Sequence, residues 1–347
     1  MNGYFQPHIE RMAGYQPGEQ PRGGGFIKLN TNENPYPPSP KVYEAISSLL
    51  GEGLRKYPDP VGTVFRETAA KLHGVSPEMI LAGNGSDDLL TILTRAFVGP
   101  GDLIVAPTPS YILYKTLAEI QNAAYVEVPF KKDWTIGPDS FAVPGAKLAF
   151  LANPNSPSGT CLTPAEVSKI AERLTCPFVV DEAYANFAET DCVSLVKDHP
   201  NVIVTRTFSK GYSLAGIRLG YLIARPEIVE GLIKVKDSYN CDTLSLIAGV
   251  AAIEDQDYFQ TSRSKILATR RRLTDAVRKL GFLVPESHAN FVWCQGNFRA
   301  AAIYEALKEL KILVRLMRYP GLEPGLRITV GTDEEIDRLL TELKTLV

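Results

Sequence analysis

Residues 177–184 read Pro177-Phe178-Val179-Val180-Asp181-Glu182-Ala183-Tyr184, a short apolar run that ends on a carboxylate. Apolar residues at consecutive positions are typical of strands buried on both faces, as in a parallel sheet covered by helices. Open α/β sheets bind their ligands at the carboxyl ends of such strands. The run therefore predicts a buried strand that delivers Asp181 to a functional site.

Runs of the same kind lie on both sides of this stretch and alternate with helical periodicity. They predict further strands at residues 103–106, 124–128, 148–152, 202–205 and 219–224. Helical patterns begin near residue 41 and recur at residues 64–72 and 86–97. The alternation predicts a large α/β domain over residues 41–255, with a mostly parallel sheet flanked by helices.

The chain on either side of this domain has a different character. Residues 256–347 combine helical patterns at 264–280, 300–310 and 333–346 with strand-like pieces at 291–294, 312–314 and 326–330, which predicts a smaller α+β C-terminal domain. Residues 1–40 are rich in glycine and proline, which is typical of an extended arm. We therefore predict an N-terminal arm, a large domain and a small domain.

Composition and charge exclude several classes of function. Hydrophobic residues make up 45% and charged residues 22% of the 347, as in folded globular proteins. The net charge is −2 and no basic face is evident, so we expect no nucleic-acid partner. No apolar run approaches the ~18 residues of a membrane span, and no signal-peptide pattern opens the chain, so we expect a cytoplasmic protein without a membrane partner. The cysteines and histidines lack metal-ligand spacing, so we expect no metal.

A lysine follows another of the apolar runs. Ser209-Lys210-Gly211 comes just after the strand at 202–205, and Arg218 follows eight positions after the lysine. A lysine held in a dry site loses its proton easily and can condense with a carbonyl group. The rigid turn at residues 153–159 follows the strand at 148–152, so amide, carboxylate, phenol, lysine and arginine are all expected at one edge of the sheet.

This constellation resembles the aminotransferase superfamily that uses pyridoxal phosphate in the aspartate aminotransferase fold, and within it the histidinol-phosphate aminotransferase family. The resemblance runs from residue 15 to about residue 332. The motifs that carry it are Tyr15-Gln16-Pro17-Gly18, Leu29-Asn30-Thr31-Asn32-Glu33-Asn34-Pro35-Tyr36-Pro37, Lys56-Tyr57-Pro58-Asp59, the Asp181–Tyr184 stretch, the Ser209–Tyr221 stretch and Gly325-Leu326-Arg327-Ile328-Thr329. It implies pyridoxal-phosphate fold type I with a seven-stranded sheet, and a homodimer with shared active sites in which part of the N-terminal arm packs on the partner subunit.

The resemblance also implies roles for residues around the cofactor. Lys210 would form the Schiff base and shuttle the proton, Asp181 would pair with the pyridine nitrogen, and Tyr184 would bond the ring's phenolic oxygen. Tyr111 would stack on the ring, and Tyr57 would reach the phosphate from the other subunit. The phosphate cup would consist of Gly85, Ser86, Asp87, Ser209 and Arg218, with Asp87 donating only through its backbone.

One position departs from the family pattern. The family usually reads Asn-Asn-Pro-Thr-Gly, with the second asparagine contacting the ring oxygen, whereas this chain reads Asn155-Ser156-Pro157-Ser158-Gly159. Alignment places Ser156 at the contact, while an amide matches better in length. We therefore expect Asn155 to reach over from one residue earlier, with Ser156 as the alternative.

The resemblance finally implies substrates, a small-molecule amino donor and a keto-acid acceptor. Arg327 and Arg315 match anion-binding arginines, and Tyr15 would close over the substrate from the neighbouring subunit with Asn32 nearby. The expected reaction moves an amino group between histidinol phosphate and 2-oxoglutarate in histidine biosynthesis. An aromatic aminotransferase and a threonine-phosphate decarboxylase of the same fold remain open, as does, more remotely, a non-catalytic cofactor-binding module.

Overall fold

The structure is a computed structural model that describes residues 3–15, 18–21 and 23–347. Gln16 and Pro17, the middle of the Tyr15–Gly18 motif, lie outside the described residues, as does Arg22. The strands are β1 (Ile27–Lys28), β2 (Ile80–Gly83), β3 (Leu103–Thr108), β4 (Ala124–Pro129), β5 (Ala146–Ala152), β6 (Phe178–Asp181), β7 (Val202–Thr207), β8 (Gly220–Ile223), β9 (Phe291–Cys294), β10 (Ile312–Leu313), β11 (Arg315–Met317) and β12 (Gly325–Thr329).

Helices alternate with the strands through the first two thirds of the chain and cover the sheet on both sides. They are α1 (Pro7–Arg11), α2 (Pro40–Leu49), α3 (Thr63–His73), α4 (Ser86–Phe97), α5 (Leu113–Ile120), α6 (Pro138–Phe141), α7 (Pro164–Arg173), α8 (Leu195–Asp198), α9 (Pro226–Ile233), α10 (Thr243–Glu254), α11 (Gln256–Lys279), α12 (Ala300–Glu309) and α13 (Asp333–Leu346). Short 3₁₀ turns occur at Glu52–Arg55, Pro77–Met79, Ala185–Phe187 and Ala215–Ile217.

Seven strands form the large sheet, in the order β2-β8-β7-β6-β5-β3-β4. Strands β3 to β7 run parallel, whereas β8 is antiparallel to both β7 and β2. The mostly parallel seven-stranded sheet is confirmed. Strand β2 was not predicted from the sequence, because four residues between a 3₁₀ turn and a glycine-rich loop give too little pattern.

The central strands are apolar at consecutive positions because both of their faces are buried, as the sequence predicted. In β6, Phe178 and Val180 pack into the apolar cluster on one face of the sheet, and Val179 packs into the cluster on the other face. The same alternation holds for Val204 and Ile203 in β7. Both faces of the central strands are therefore sealed from water, and polar groups emerge only at their ends.

A third apolar cluster holds the C-terminal part together. Strands β11, β12 and β9 form an antiparallel sheet against α11, α12 and α13, around buried residues such as Leu307, Ile328 and Leu339. Leu29 belongs to the same cluster, because β1 pairs in parallel with β10. Part of the N-terminal segment is thus built into this smaller unit rather than lying loosely on the surface.

The rest of that segment includes α1, which the glycine- and proline-rich composition did not predict. Its His8 side chain bonds the carbonyl of Ile120 at the end of α5, with an Nε2···O distance of 3.2 Å. Within the described ranges, no helix is both long enough and apolar enough to cross a membrane.

Candidate active site

A cavity of about 240 Å³ opens at the carboxyl ends of the central parallel strands. Its walls come from those strand ends, from the start of α4, from β11 and β12, and from the N-terminal segment. Thirteen of the sequence-predicted site residues line it: Tyr15, Asn32, Ser86, Asp87, Tyr111, Ser156, Asp181, Tyr184, Ser209, Lys210, Arg218, Arg315 and Arg327. The structure therefore brings together residues that are up to 312 positions apart in the chain.

Lys210 lies three residues beyond the end of β7, with its amine inside the cavity. Its Nζ donates to the backbone carbonyl of Thr31 at 2.8 Å. Burial, followed by the charge of Arg327, lowers the pKa of Lys210 to about 8. A lysine with this pKa is a usable nucleophile near neutral pH, because about a tenth of its amine is already uncharged at pH 7.

This pKa leads to a direct chemical test. Reductive methylation of Lys210 by formaldehyde and cyanoborohydride in protein stripped of bound small molecules, followed by peptide mass spectrometry, should rise with a midpoint near pH 8. At that pH about half of the amine is neutral, against roughly one part in 300 for an ordinary lysine. The same residue in guanidinium-unfolded protein is the control and should rise near pH 10.5. Equal midpoints in folded and unfolded protein would contradict the burial argument.

Asp181 is the last residue of β6 and is almost completely buried. Its Oδ2 accepts from the hydroxyl of Tyr114 at 2.8 Å, and its Oδ1 accepts from Thr205 Oγ1 at 3.1 Å. Burial raises its pKa to about 6, and these two hydrogen bonds oppose the shift. A carboxylate accepts about four hydrogen bonds, so Asp181 can also receive a cationic N–H from a ligand.

Tyr184 is held by the N-terminal segment. Its hydroxyl accepts from Asn32 Nδ2 at 2.9 Å, while Asn32 Oδ1 accepts from Thr329 Oγ1 at 3.0 Å. Asn32 is buried and adopts a left-handed conformation, with φ of 57°. Asn32 thus links Tyr184 to Thr329 and orients the Tyr184 hydroxyl, and it also lines the cavity, where its contact with a substrate stays a prediction.

The start of α4 forms an anion cup. Gly85 precedes the helix with φ of 86° and, as a glycine, brings no side chain to cap the backbone N–H groups that follow it. A residue with a Cβ at this position would have a strained backbone, and the Cβ would lie 2.6 Å from Arg218 Nη2, so glycine lets the guanidinium lie close to this turn. Arg218 Nη1 donates to Ser209 Oγ at 3.1 Å. Free N–H groups, the helix dipole and a guanidinium together suit a phosphate group.

Asn155 and Ser156 point in different directions. The Asn155 side chain is buried against the turn before α5, where it donates to the carbonyl of Pro109 at 3.1 Å and accepts from Ser110 Oγ at 2.9 Å. Ser156 lies on the cavity wall and accepts from Arg327 Nη1 at 2.9 Å. The geometry thus favours Ser156 over the expected Asn155, because the Asn155 amide is already used in holding the turn.

Two arginines face each other at the mouth of the cavity. Arg315 in β11 and Arg327 in β12 are direct partners in the antiparallel register, so their side chains lie on the same face. Arg327 Nη2 donates to the carbonyl of Asn30 at 3.1 Å, and its buried Nε has no hydrogen-bond partner within the described part of the chain. Like charges directly opposite each other repel, so this pair indicates a binding site for an anion.

Tyrosines line the remaining wall. Tyr111 packs edge-on against Tyr15, with ring centroids 6.3 Å apart, and Tyr15 thereby contacts the cavity of its own chain. The contribution of Tyr15 to a neighbouring subunit stays a prediction, since the contact described here lies within one chain. Tyr57 lies elsewhere: it is 82% exposed and stacks on Tyr239 at 4.6 Å.

Sequence reasoning missed several residues at this site. Thr205 could have been found, since β6 and β7 are parallel and Thr205 stands in register with Asp181. Tyr114, by contrast, reads as an ordinary core aromatic of α5, and Tyr319 lies in a loop without a pattern. Among the residues described, no group of three or more His, Cys, Asp or Glu side chains could hold a metal ion.

The arrangement defines what the site can do. A buried amine that loses its proton near pH 8 can condense with the carbonyl group of a ligand. The cup at α4 can hold that ligand's phosphate, and Asp181 can hold a protonated ring nitrogen. Arg315 and Arg327 line the same cavity and bring positive charge that suits the anionic group of a second molecule.

Comparison with known proteins gives matches along nearly the whole chain. The family model for aminotransferase class I and II matches residues 25–343. A histidinol-phosphate aminotransferase of Rhodopirellula baltica is 50% identical over 337 residues, covering 96% of this chain and 93% of that protein. A histidinol-phosphate aminotransferase 1 of Trichormus variabilis is 46% identical over 351 residues and covers 100% of both chains.

Solved structures match the fold equally well. The crystal structure of histidinol-phosphate aminotransferase from Sinorhizobium meliloti in complex with pyridoxal-5'-phosphate has a TM-score of 0.91 and 28% identity, with 99% of each chain covered. An aspartate aminotransferase from Thermus thermophilus with maleate has a TM-score of 0.81 at 20% identity, covering 93% of this chain and 92% of that chain, which shows likeness of fold alone.

Proposed function

Because the chain belongs to the class I and II aminotransferases, we propose that it moves an amino group between histidinol phosphate and 2-oxoglutarate with bound pyridoxal phosphate, in histidine biosynthesis. The observation that carries the proposal is the placement of Lys210 and Asp181. A buried lysine with a lowered pKa and a buried carboxylate share one cavity, above an anion cup.

The residues present fit pyridoxal phosphate. Ser86, Ser209 and Arg218 would hold its phosphate, Asp181 its ring nitrogen, and Tyr184 and Ser156 its ring oxygen. When bound, the cofactor supplies an electron sink for the substrate carbon that loses or gains a proton. The glycine at position 85 supports this fit, because a Cβ there would lie 2.6 Å from Arg218 Nη2 and would displace the guanidinium that is to hold the phosphate.

The chain's own residues perform the remaining steps. Lys210, once its amine is free and neutral, takes the proton from the substrate Cα and returns it in the reverse direction. The carboxylate of Asp181 keeps a cation at the ring nitrogen. Tyr111, whose hydroxyl bonds Asp87 Oδ1 at 3.3 Å, closes one face of the cavity and limits water.

The substrate assignment draws on the facing arginines and on the named relatives. Arg315 and Arg327 provide two guanidinium groups for the phosphate of histidinol phosphate in one half-reaction and for a carboxylate of glutamate or 2-oxoglutarate in the other. Relatives that are 45–50% identical carry the name histidinol-phosphate aminotransferase. The small molecules of the reaction are therefore an amino donor and a keto-acid acceptor.

We further propose a homodimer with shared active sites. Tyr57, Tyr43, Leu54 and Val64 are each more than half exposed, and a second copy of the chain would cover such apolar side chains. In such a dimer Tyr57 would reach the phosphate cup of the partner subunit, as its absence from its own cavity wall suggests.

A cytoplasmic location completes the proposal. The five cysteines form no disulfide and four of them are buried, which suits a reducing compartment.

One experiment tests the reaction and the substrate together. The visible absorbance band of the purified, cofactor-loaded protein is recorded before and after addition of L-glutamate and, separately, of histidinol phosphate. We expect both donors to remove the band, and D-glutamate to leave it unchanged. Loss with glutamate alone would retain the transaminase and overturn the substrate, and phenylalanine would then test the aromatic alternative. Carbon dioxide release from threonine phosphate without a keto-acid product would indicate the decarboxylase instead.

A further inference from the structure

Tyr114 contacts both Tyr111 and Asp181 but does not itself line the cavity. It is fully buried in the first turn of α5, and its ring stacks on Phe150 with centroids 4.7 Å apart and planes 5° apart. Its edge packs against Tyr111 at 5.6 Å. The ring is therefore fixed, and only the hydroxyl, which points to Asp181, is polar.

The Tyr114 hydroxyl stabilises the negative charge of Asp181. Asp181 is 4% exposed, and a buried carboxylate is costly unless donors stabilise its charge. Tyr114 and Thr205 supply one donor to each carboxylate oxygen, at 2.8 and 3.1 Å. The two donors come from different elements, α5 and β7, so they fix the plane of the carboxylate as well as its charge.

We propose that Tyr114 is a positioning residue for the cofactor's ring nitrogen, acting with Thr205 to hold Asp181 in the ionised form and in the orientation that receives the ring N–H. The inference rests on the proposed function, because it concerns the pyridine nitrogen of pyridoxal phosphate. The proposed role of Tyr114 is to strengthen binding of the cofactor through its ring nitrogen, and it is separate from any contribution of Tyr114 to the packing of the site.

The test uses full-length protein that is first treated with glutamate, so that its cofactor leaves Lys210 as pyridoxamine phosphate, and is then freed of it by dialysis; the two ligands tested do not condense with Lys210. One is pyridoxamine phosphate and the other is its analogue with carbon in place of the ring nitrogen. Dissociation constants are measured by equilibrium dialysis for the wild type, Tyr114→Phe, Thr205→Val and Tyr212→Phe. Tyr212 is the matched control, a buried tyrosine whose hydroxyl bonds Gln256 Nε2 at 3.3 Å and not Asp181.

We expect Tyr114→Phe to bind pyridoxamine phosphate about tenfold more weakly, and Thr205→Val several-fold more weakly, because each removes a hydrogen bond to a charged group. Binding of the carbon analogue should stay within about twofold in both variants. Tyr212→Phe should change neither ligand's affinity.

Equal weakening of both ligands, or of neither, in Tyr114→Phe would show a merely structural role and overturn the inference. If Tyr114→Phe does not fold, Thr205→Val decides by the same comparison. A wild-type protein that binds neither ligand would instead overturn the proposed function, and the inference would fall with it.

Discussion

Alanine in place of Lys210 is expected to lower the rate of amino transfer by at least about 10⁴-fold. In the proposed function one side chain would hold the cofactor covalently and also move the proton at the substrate Cα, so both contributions would disappear together. The carbonyl of Thr31, 2.8 Å from Nζ, cannot replace it, because an amide oxygen is a poor base. Steady-state rates with glutamate and 2-oxoglutarate as one donor–acceptor pair measure the effect.

Two further variants serve as controls for Lys210→Ala. Lys210→Arg keeps a cation in the cavity that never becomes neutral near physiological pH, so it should be as inactive as the alanine variant. Lys147→Ala removes an exposed lysine and should leave the rate unchanged. Activity of Lys210→Ala within tenfold of the wild type would contradict the assigned role, provided that both proteins have the same far-ultraviolet circular dichroism.

Much of the fold could be predicted because burial on both faces leaves a strong mark on a sequence. Strand β6 was predicted within one residue, and helix α4 at its observed limits, because apolar runs and a glycine-rich start define them locally. Strand β1 has two residues and depends on a partner about 285 positions away, so no local pattern could reveal it. The patterns that predicted the fold lie within short stretches of sequence, whereas the pairing that was missed joins residues far apart in the chain.

The residues of the candidate site also fall into those that a local pattern predicts and those that depend on distant contacts. Asp181 and Lys210 could be predicted, since each follows a recognisable strand and the ends of parallel strands meet at one edge. The choice between Asn155 and Ser156 could not, because it depends on which of two adjacent side chains the turn at Pro109 captures. Hydroxyl groups such as that of Tyr114 gain their role only from a carboxylate on another element.

Methionine in place of Arg206 is expected to destabilise the protein by about 3–5 kcal/mol. The guanidinium lies in β7 with 7% of its side chain exposed, and its Nη2 is 2.7 Å from Glu182 Oε2 and 2.9 Å from Asp191 Oδ2. Its removal leaves the almost fully buried Glu182 without a cation. Urea unfolding at pH 8 measures the change. Arg272→Met is the control, since its pairs with Asp333 and Asp337 are partly exposed and contribute about 1 kcal/mol or less.

The sign of the pH dependence distinguishes an unpaired charge from lost packing. Burial raises the pKa of Glu182 to about 7 even while Arg206 opposes the shift, so loss of the arginine raises it further. A carboxyl group whose pKa is higher in the folded state than in the unfolded state stabilises most at low pH, and this contribution is lost as the pH rises through the folded value. The loss of unfolding free energy in Arg206→Met should therefore be smaller at pH 5 than at pH 8.

Adding Glu182→Gln should recover about half or more of the loss at pH 8, because no charge then remains to be buried. A deficit that is the same at both pH values, and that the second substitution does not reduce, would assign the role of Arg206 to packing alone. Since Glu182 directly follows Asp181, and Arg206 directly follows Thr205, this ion pair also anchors the two strand ends that present the acid and its hydroxyl donor to the cavity.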